Sequence, residues 1–220
     1  MFLQVSTTPN PDALKFYPGL EVTGSKSYDI RSRKQAEASP LAKTLFKIPG
    51  VTGVFFGSDF ISVTKKAEAE WGDIKPVVFT DILDHFAAGG PIIYADRLVE
   101  DSPAEGEATA VPSAPGDGGG DSEVVLMIKE LLDTRIRPSV QEDGGDVQFI
   151  RFEEGIVYLQ LQGSCSGCPS SSVTLKSGIE RTIMYWIPEV VGCVAVNDDE
   201  LEALNEQQFK EVEQRVTPSD

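Results

Sequence analysis

The stretch at residues 99–121, which from residue 100 reads EDSPAEGEATAVPSAPGDGGGD, divides this chain in two. It is made of Pro, Gly, Ala and acidic residues, with almost nothing to bury. Such a segment cannot offset the entropy lost on ordering its backbone, and its composition predicts a flexible linker. No single core can run through it. A chain of 220 residues is long enough for a small domain on each side. We therefore expect domains at residues 1–98 and 122–197, then an acidic tail at 198–220 that frays into solvent. Both halves read as α+β, each a small sheet with helices packed on it.

In the first half, strand-like runs occur at residues 2–6, 14–17, 51–56 and 60–64, with Gly57-Ser58-Asp59 as a hairpin turn. Ser39-Pro40 is a helix start, serine as N-cap and proline at the first helical position, and the helix stops before Pro49-Gly50. A second helix is expected from Pro76, with Val78, Ile82, Leu83 and Phe86 at helical spacing and Gly89-Gly90-Pro91 as its stop. In the second half, Ser122 is a candidate N-cap. Val125, Ile128, Leu132 and Ile136 share a helical face, and Pro138 is expected to end that helix. Residues 147–152 and 156–162 form a hairpin across Glu153-Glu154-Gly155. Val157, Leu159 and Leu161 alternate with polar residues, so one face of the second strand is buried. A helix at 170–187, striped by Ile179, Ile183 and Ile187, leads to a last strand at 190–196.

The formal net charge of -16 argues against a nucleic-acid partner, which needs clustered Lys and Arg. It argues equally against an anionic membrane surface. No apolar run approaches the roughly 18–20 residues of a membrane span. Three cysteines make no disulfide framework, so a reducing compartment is expected. No presequence is visible, which fits a protein acting where it is made or a processed form.

The chemistry concentrates at Cys165-Ser166-Gly167-Cys168-Pro169. A zinc or iron–sulfur site usually takes four Cys or His ligands. Beyond this pair the chain offers only Cys193 and its single histidine, His85. One copy does not readily close such a shell, whereas two copies, each giving Cys165 and Cys168, do. The spacing therefore points to a metal centre shared across a homodimer. Gly163 and Gly167 let the loop curl so that both sulfurs face one side. The helix that follows aims its N-terminus at the thiols, lowering their pKa values and favouring an anionic ligand set. Ser164, Ser166 and Ser170 to Ser172 are candidate donors to sulfur. From residues alone, four readings stay open: a cluster or other metal site, a redox-active dithiol, a zinc site short of ligands, and inert thiols.

Residues 163–180, GSCSGCPSSSVTLKSGIE, closely resemble the cluster-binding motif of the Nfu family, a domain also found at the C-terminus of NifU scaffolds. Asp143-Gly144-Gly145-Asp146 matches that domain's acidic-glycine turn, and Ile187-Pro188-Glu189-Val190 its helix exit. Thr8-Pro9-Asn10-Pro11, Leu14-Lys15-Phe16, Ser39-Pro40-Leu41-Ala42 and residues 53–61, GVFFGSDFI, resemble the Nfu N-terminal domain. The resemblance implies an iron–sulfur scaffold or carrier, not an enzyme. Two subunits would share a [4Fe-4S] cluster through Cys165 and Cys168 of each and pass it by ligand exchange to apo-proteins. It further implies clients such as lipoyl synthase and respiratory-chain subunits, other cluster-assembly proteins as partners, and a location in the mitochondrial matrix or, alternatively, a bacterial cytoplasm. The alternative function is a CxxC thiol-disulfide oxidoreductase.

Other features read plainly. Cys193 is expected to pack in an apolar strand, and His85 to serve a surface or capping role. Asp143 to Asp146 lack the further ligands of a calcium site. Gly118-Gly119-Gly120 lacks the Lys-Ser/Thr of a phosphate loop. Trp71 and Trp186 are candidate core or interface anchors.

Overall fold

A computed structural model describes residues 2–24, 26–94, 119–166 and 169–196; at 119–122 and 169–176 only the backbone is described. Most of the expected linker, the acidic tail, Gly167 and Cys168 lie outside the described residues. The described chain forms two α+β units, one on each side of the linker region.

The first unit is a five-stranded antiparallel sheet built from β1 (Gln4–Thr7), β2 (Ala13–Tyr17), β3 (Tyr28–Ile30), β4 (Val51–Phe56) and β5 (Ile61–Lys65). Its spatial order is β1-β2-β5-β4-β3. The tight β4–β5 turn is closed by Gly57 N–H donating to Phe60 O at 2.9 Å, as the hairpin signal required. Two helices, α1 (Pro40–Leu45) and α2 (Trp71–Ala88), belong to the same apolar core. Ser39 caps α1, its Oγ accepting from Ala42 N–H at 3.1 Å, with Pro40 at the first helical position.

Alternation divides this sheet into two faces. Leu14, Phe16, Val54, Phe56, Ile61 and Val63 point into the core with Leu41, Leu45, Ile74, Val78 and Ile82 from the helices. The opposite face carries Lys15, Asp29, Phe55 and Ser62, aligned across four strands by the pairings Asp29↔Phe55, Phe55↔Ser62 and Lys15↔Ser62.

Two expectations fail here. Helix α2 begins at Trp71 instead of Pro76, and Pro76 lies inside it. Its buried stripe starts at Ile74 and continues through Val78 and Ile82, so packing anchors the turn before the proline. Strand β3 has no counterpart in the sequence reading. It is three residues long in a polar stretch, and its existence depends on pairing with β4. Gly89, at φ 67°, caps α2 at the expected stop.

The second unit comprises α3 (Gly119–Leu131), a π-helical turn (Leu132–Ile136), α4 (Arg137–Glu142), β6 (Gly145–Glu153), β7 (Ile156–Gly163), α5 (Pro169–Trp186) and β8 (Gly192–Val196). Strands β6 and β7 form the expected hairpin, turning at Glu154 and Gly155, both at positive φ. Strand β8 returns parallel to β7 after α5, giving the order β6-β7-β8. Val157, Leu159 and Leu161 join Ile179, Ile183 and Ile187 in the core.

Pro138 does not end the helical run. The π turn, with Arg137 N–H bonded to Leu132 O, places the proline in the first turn of α4, where its missing donor costs least. The buried face runs through Val124 rather than Val125, then Ile128, Leu132, Ile136 and Val140. Helix α3 extends back to Gly119, into residues expected as linker. Once its face is anchored, each added residue gains a backbone bond without a new nucleation step.

Candidate cluster-binding loop and its surroundings

Strand β7 ends at Gly163, whose φ of 65° turns the chain sharply into Ser164, Cys165 and Ser166. Helix α5 starts at Pro169, four residues after Cys165, so its N-terminus follows the cysteine motif directly. The loop closes with Ser166 N–H and Oγ both donating to Gly163 O, at 3.3 and 2.8 Å.

The Cys165 thiol is turned inward. The residue is 4 % exposed and belongs to the core of the second unit. Its Sγ lies 3.8 Å from Ser164 Oγ and 3.9 Å from Val140 O. Beneath it sits Gly145. A Cβ there would lie 2.8 Å from the sulfur and 2.3 Å from Gln162 O, so glycine alone fits. Ser164 is buried as well, its N–H bonded to Gly144 O and its hydroxyl donating to Asp143 O.

The Asp143-Gly144-Gly145-Asp146 segment is thus the floor of the cysteine loop. Asp146 is buried, and its carboxylate is engaged by Arg137 at 3.3 Å, Val147 N–H at 2.7 Å and Ser27 Oγ at 2.7 Å. That engagement leaves it poorly suited to a cation, in line with the turn reading. Burial, then the neighbouring Glu142 charge, push the Asp143 carboxyl above its usual range, with Lys15 acting against them. Among the described residues, no three His, Cys, Asp or Glu side chains converge as a metal site.

The remaining sequence candidates lie elsewhere. Cys193 is half-buried on β8, where burial and then Glu180 push its thiol up to about 11. His85 stacks edge-on with Phe86 on α2, and burial pulls its pKa down against a bond with Gly90. Trp71 donates from Nε1 to Pro11 O at 3.0 Å, and half-exposed Trp186 stacks with Arg135.

What sequence reasoning missed is the company the loop keeps. Residues of the first unit reach it from several strands. Asn10 Nδ2 donates to Ser164 O at 3.1 Å. Asp29 Oδ2 accepts from Gly163 N–H at 3.1 Å and is held by Arg31 at 2.6 Å. Arg31 also donates to Leu161 O at 3.2 Å. Ser62 Oγ donates to Gly144 O at 2.7 Å, and Lys15 Nζ to Gln141 O at 2.6 Å and Glu142 O at 3.2 Å. Polar positions alternating with apolar ones read as facing water, and alternation cannot distinguish water from a second domain.

The same two units are recognised when the chain is compared with known proteins. A family model described as the scaffold protein Nfu/NifU N terminal matches residues 3–89, and one described as the NifU-like domain matches residues 128–194. A protein of Drosophila persimilis named NFU1 iron-sulfur cluster scaffold homolog, mitochondrial, is 49% identical over 217 residues, 98% of this chain and 72% of that protein. The namesake of Drosophila grimshawi is 48% identical over 100% of this chain and 69% of its own. A solution NMR structure of a NifU-like protein from Saccharomyces cerevisiae aligns with 43% of this chain and 86% of its own, at 31% identity and a TM-score of 0.40. With both domain models matched in order along one chain, and relatives aligned over nearly all of it, the chain belongs to the Nfu/NifU scaffold family.

Proposed function

We propose that this protein is an iron–sulfur cluster carrier, in which Cys165 and Cys168 of two copies together hold a [4Fe-4S] cluster and surrender it to apo-proteins by ligand exchange. The observation carrying this reading is the cysteine loop itself, a CxxC between β7 and α5, in a chain whose other potential soft ligands, Cys193 and His85, lie on other elements. The names of the Drosophila relatives support the cluster-scaffold role and a mitochondrial location; the matrix is the compartment we propose. A helix N-terminus that follows the cysteine motif directly in sequence favours the negative charge of a thiolate-bound cluster.

The cluster is cargo here, and the chain's part is to bind it and let it go. Two ligands per copy, at a boundary between copies, permit stepwise replacement by client thiolates. No covalent step on the protein is required. Lipoyl synthase and respiratory-chain subunits are the proposed clients, with other assembly proteins as donors.

Anaerobic reconstitution with iron and sulfide tests this reading, with iron, sulfide and solution mass measured on one fraction. About four irons per two chains are expected, lost in Cys165→Ser and in Cys168→Ser and kept in Cys193→Ser. Iron-free monomer with reversible Cys165–Cys168 disulfide turnover would instead establish the thiol oxidoreductase.

A further inference from the structure

The outer face of the first sheet buries groups that a solvent-facing surface has no reason to bury. Lys15 is 2 % exposed and Ser62 is 1 % exposed. An ammonium withdrawn from water needs partners. Those of Lys15 are the Tyr17 and Phe60 rings, 4.9 and 4.1 Å away, and the carbonyls of Gln141 and Glu142 in the other unit. Ser62, its cross-strand neighbour, gives its hydroxyl to Gly144 O. Next in the row is Phe55, beside Gly163, where a Cβ would meet the Phe55 ring at 2.9 Å. Asp29 completes the row by accepting the Gly163 N–H. One cross-strand row thus contacts the backbone of the cysteine loop and of the turn beneath it.

The glycines on the second unit match this row. A Cβ on Gly144 would meet Ser62 Oγ at 2.8 Å and Lys15 Cγ at 2.9 Å, both across the boundary. Asn10 and Ser27 add bonds at Ser164 O and Asp146 Oδ2. The contact is largely polar, side chain to backbone, and at its rim a crevice of about 160 Å³ opens between Asp29, Arg31, Phe55, Gly163 and Ser166. Groups of this kind can be returned to water at modest cost, unlike an apolar core. Within this docked loop Cys165 is turned inward at 4 % exposure.

We propose that the Lys15–Ser62–Phe55–Asp29 row is a docking surface for the chain's own cysteine loop. The docked form is a closed state that withholds Cys165, and undocking frees the loop to share a cluster with a second copy. The proposal rests on Cys165 being a cluster ligand. It assigns the N-terminal domain a task, which is to gate its own cargo site.

The test uses the full-length, reduced, cluster-free chain. Alkylation of Cys165 by N-ethylmaleimide is followed by peptide mass spectrometry in the parent, Ser62→Glu and Asp29→Ala, with Lys43→Ala, an exposed side chain on α1, as control. Both interface variants are expected to label Cys165 about tenfold faster or more, the scale of losing one hydrogen bond to a charged group. The control should match the parent. Equal rates throughout would show that the second unit alone protects the thiol, and would overturn the proposal. Should a variant fail to fold, hydrogen exchange at the Gly163 amide of the parent decides the matter. Protection lost on cluster loading supports undocking, and unchanged protection in the loaded protein overturns it. Failure of every form to load cluster would sink the carrier reading while leaving the labelling result to stand by itself.

Discussion

The two faces of the five-stranded sheet are both buried, but by different means. The inner face presents Phe16, Phe56, Ile61 and Val63 to α1 and α2, all at or near zero exposure. Its burial is apolar, non-directional and irreversible short of unfolding. The outer face presents Lys15, Ser62 and Asp29 around Phe55, and its partners are backbone groups of the other unit. Each of those bonds can be exchanged for one to water. One sheet therefore holds a permanent interface on one side and a separable one on the other. The lesson is that fractional burial alone does not rank a residue's contribution to stability; the partner and its replaceability do.

Adjacent phenylalanines give the sharpest way to break this contrast. Phe56→Ala should cost about 3–5 kcal/mol through the cavity it opens in the inner core, read as lost exchange protection at the Phe16 and Val63 amides. Phe55→Ala, equally buried, should leave those amides near parental protection and loosen only the contact with Gly163. Equal losses in the two variants would mean that the faces are not distinct.

Lys15→Met comes next. It removes a charge-assisted contact worth about 1.5–3 kcal/mol, and the effect should appear as faster exchange in residues 141–144 and 163, with the inner core unchanged. An effect confined to the sheet would place Lys15 in the stability of the first unit instead.

A smaller loss is expected from Ser39→Ala, about 1 kcal/mol for the helix cap. Because α1 packs on the inner face, thermal unfolding should register it while Cys165 labelling does not. The smallest effect lies away from both faces. The folded Cys193 thiol, raised from 9.0 to about 11, keeps its proton where the unfolded one loses it. Its contribution to stability is complete below pH 9 and is lost as pH rises toward about 11. Cys193→Ala should therefore show a shallower fall of stability across that window in chemical denaturation, and an identical slope would discard this assignment.

Much of the local structure was legible because it depends on near neighbours. Ser39-Pro40 starts α1, Gly89 stops α2, Glu154-Gly155 turns a hairpin, and the Val157–Leu159–Leu161 alternation faces the core. The misreadings share a cause. Pro76 and Pro138 look like helix boundaries, but Ile74 and the Ile128–Leu132–Ile136 face are anchored by residues distant in sequence, and that packing carries the helices past the prolines. Strand β3 exists only because β4 offers it an edge. In the loop, residue chemistry marked Cys165 and the glycines around it. The inward turn of the thiol, and the floor that requires Gly145, came from contacts of α4 and β6 with the loop.

The sequence by itself determined the two-unit plan, the α+β character of each unit, the cysteine loop and its family. The first three follow from composition, periodicity and short-range spacing, which act locally along the chain, and the family from the resemblance of its motifs. Tertiary structure alone decided which polar residues face water and which face another domain. Lys15, Asp29 and Ser62 carry the same alternation signal either way, and only the arrival of the cysteine loop against that face distinguishes a solvated surface from a docking one.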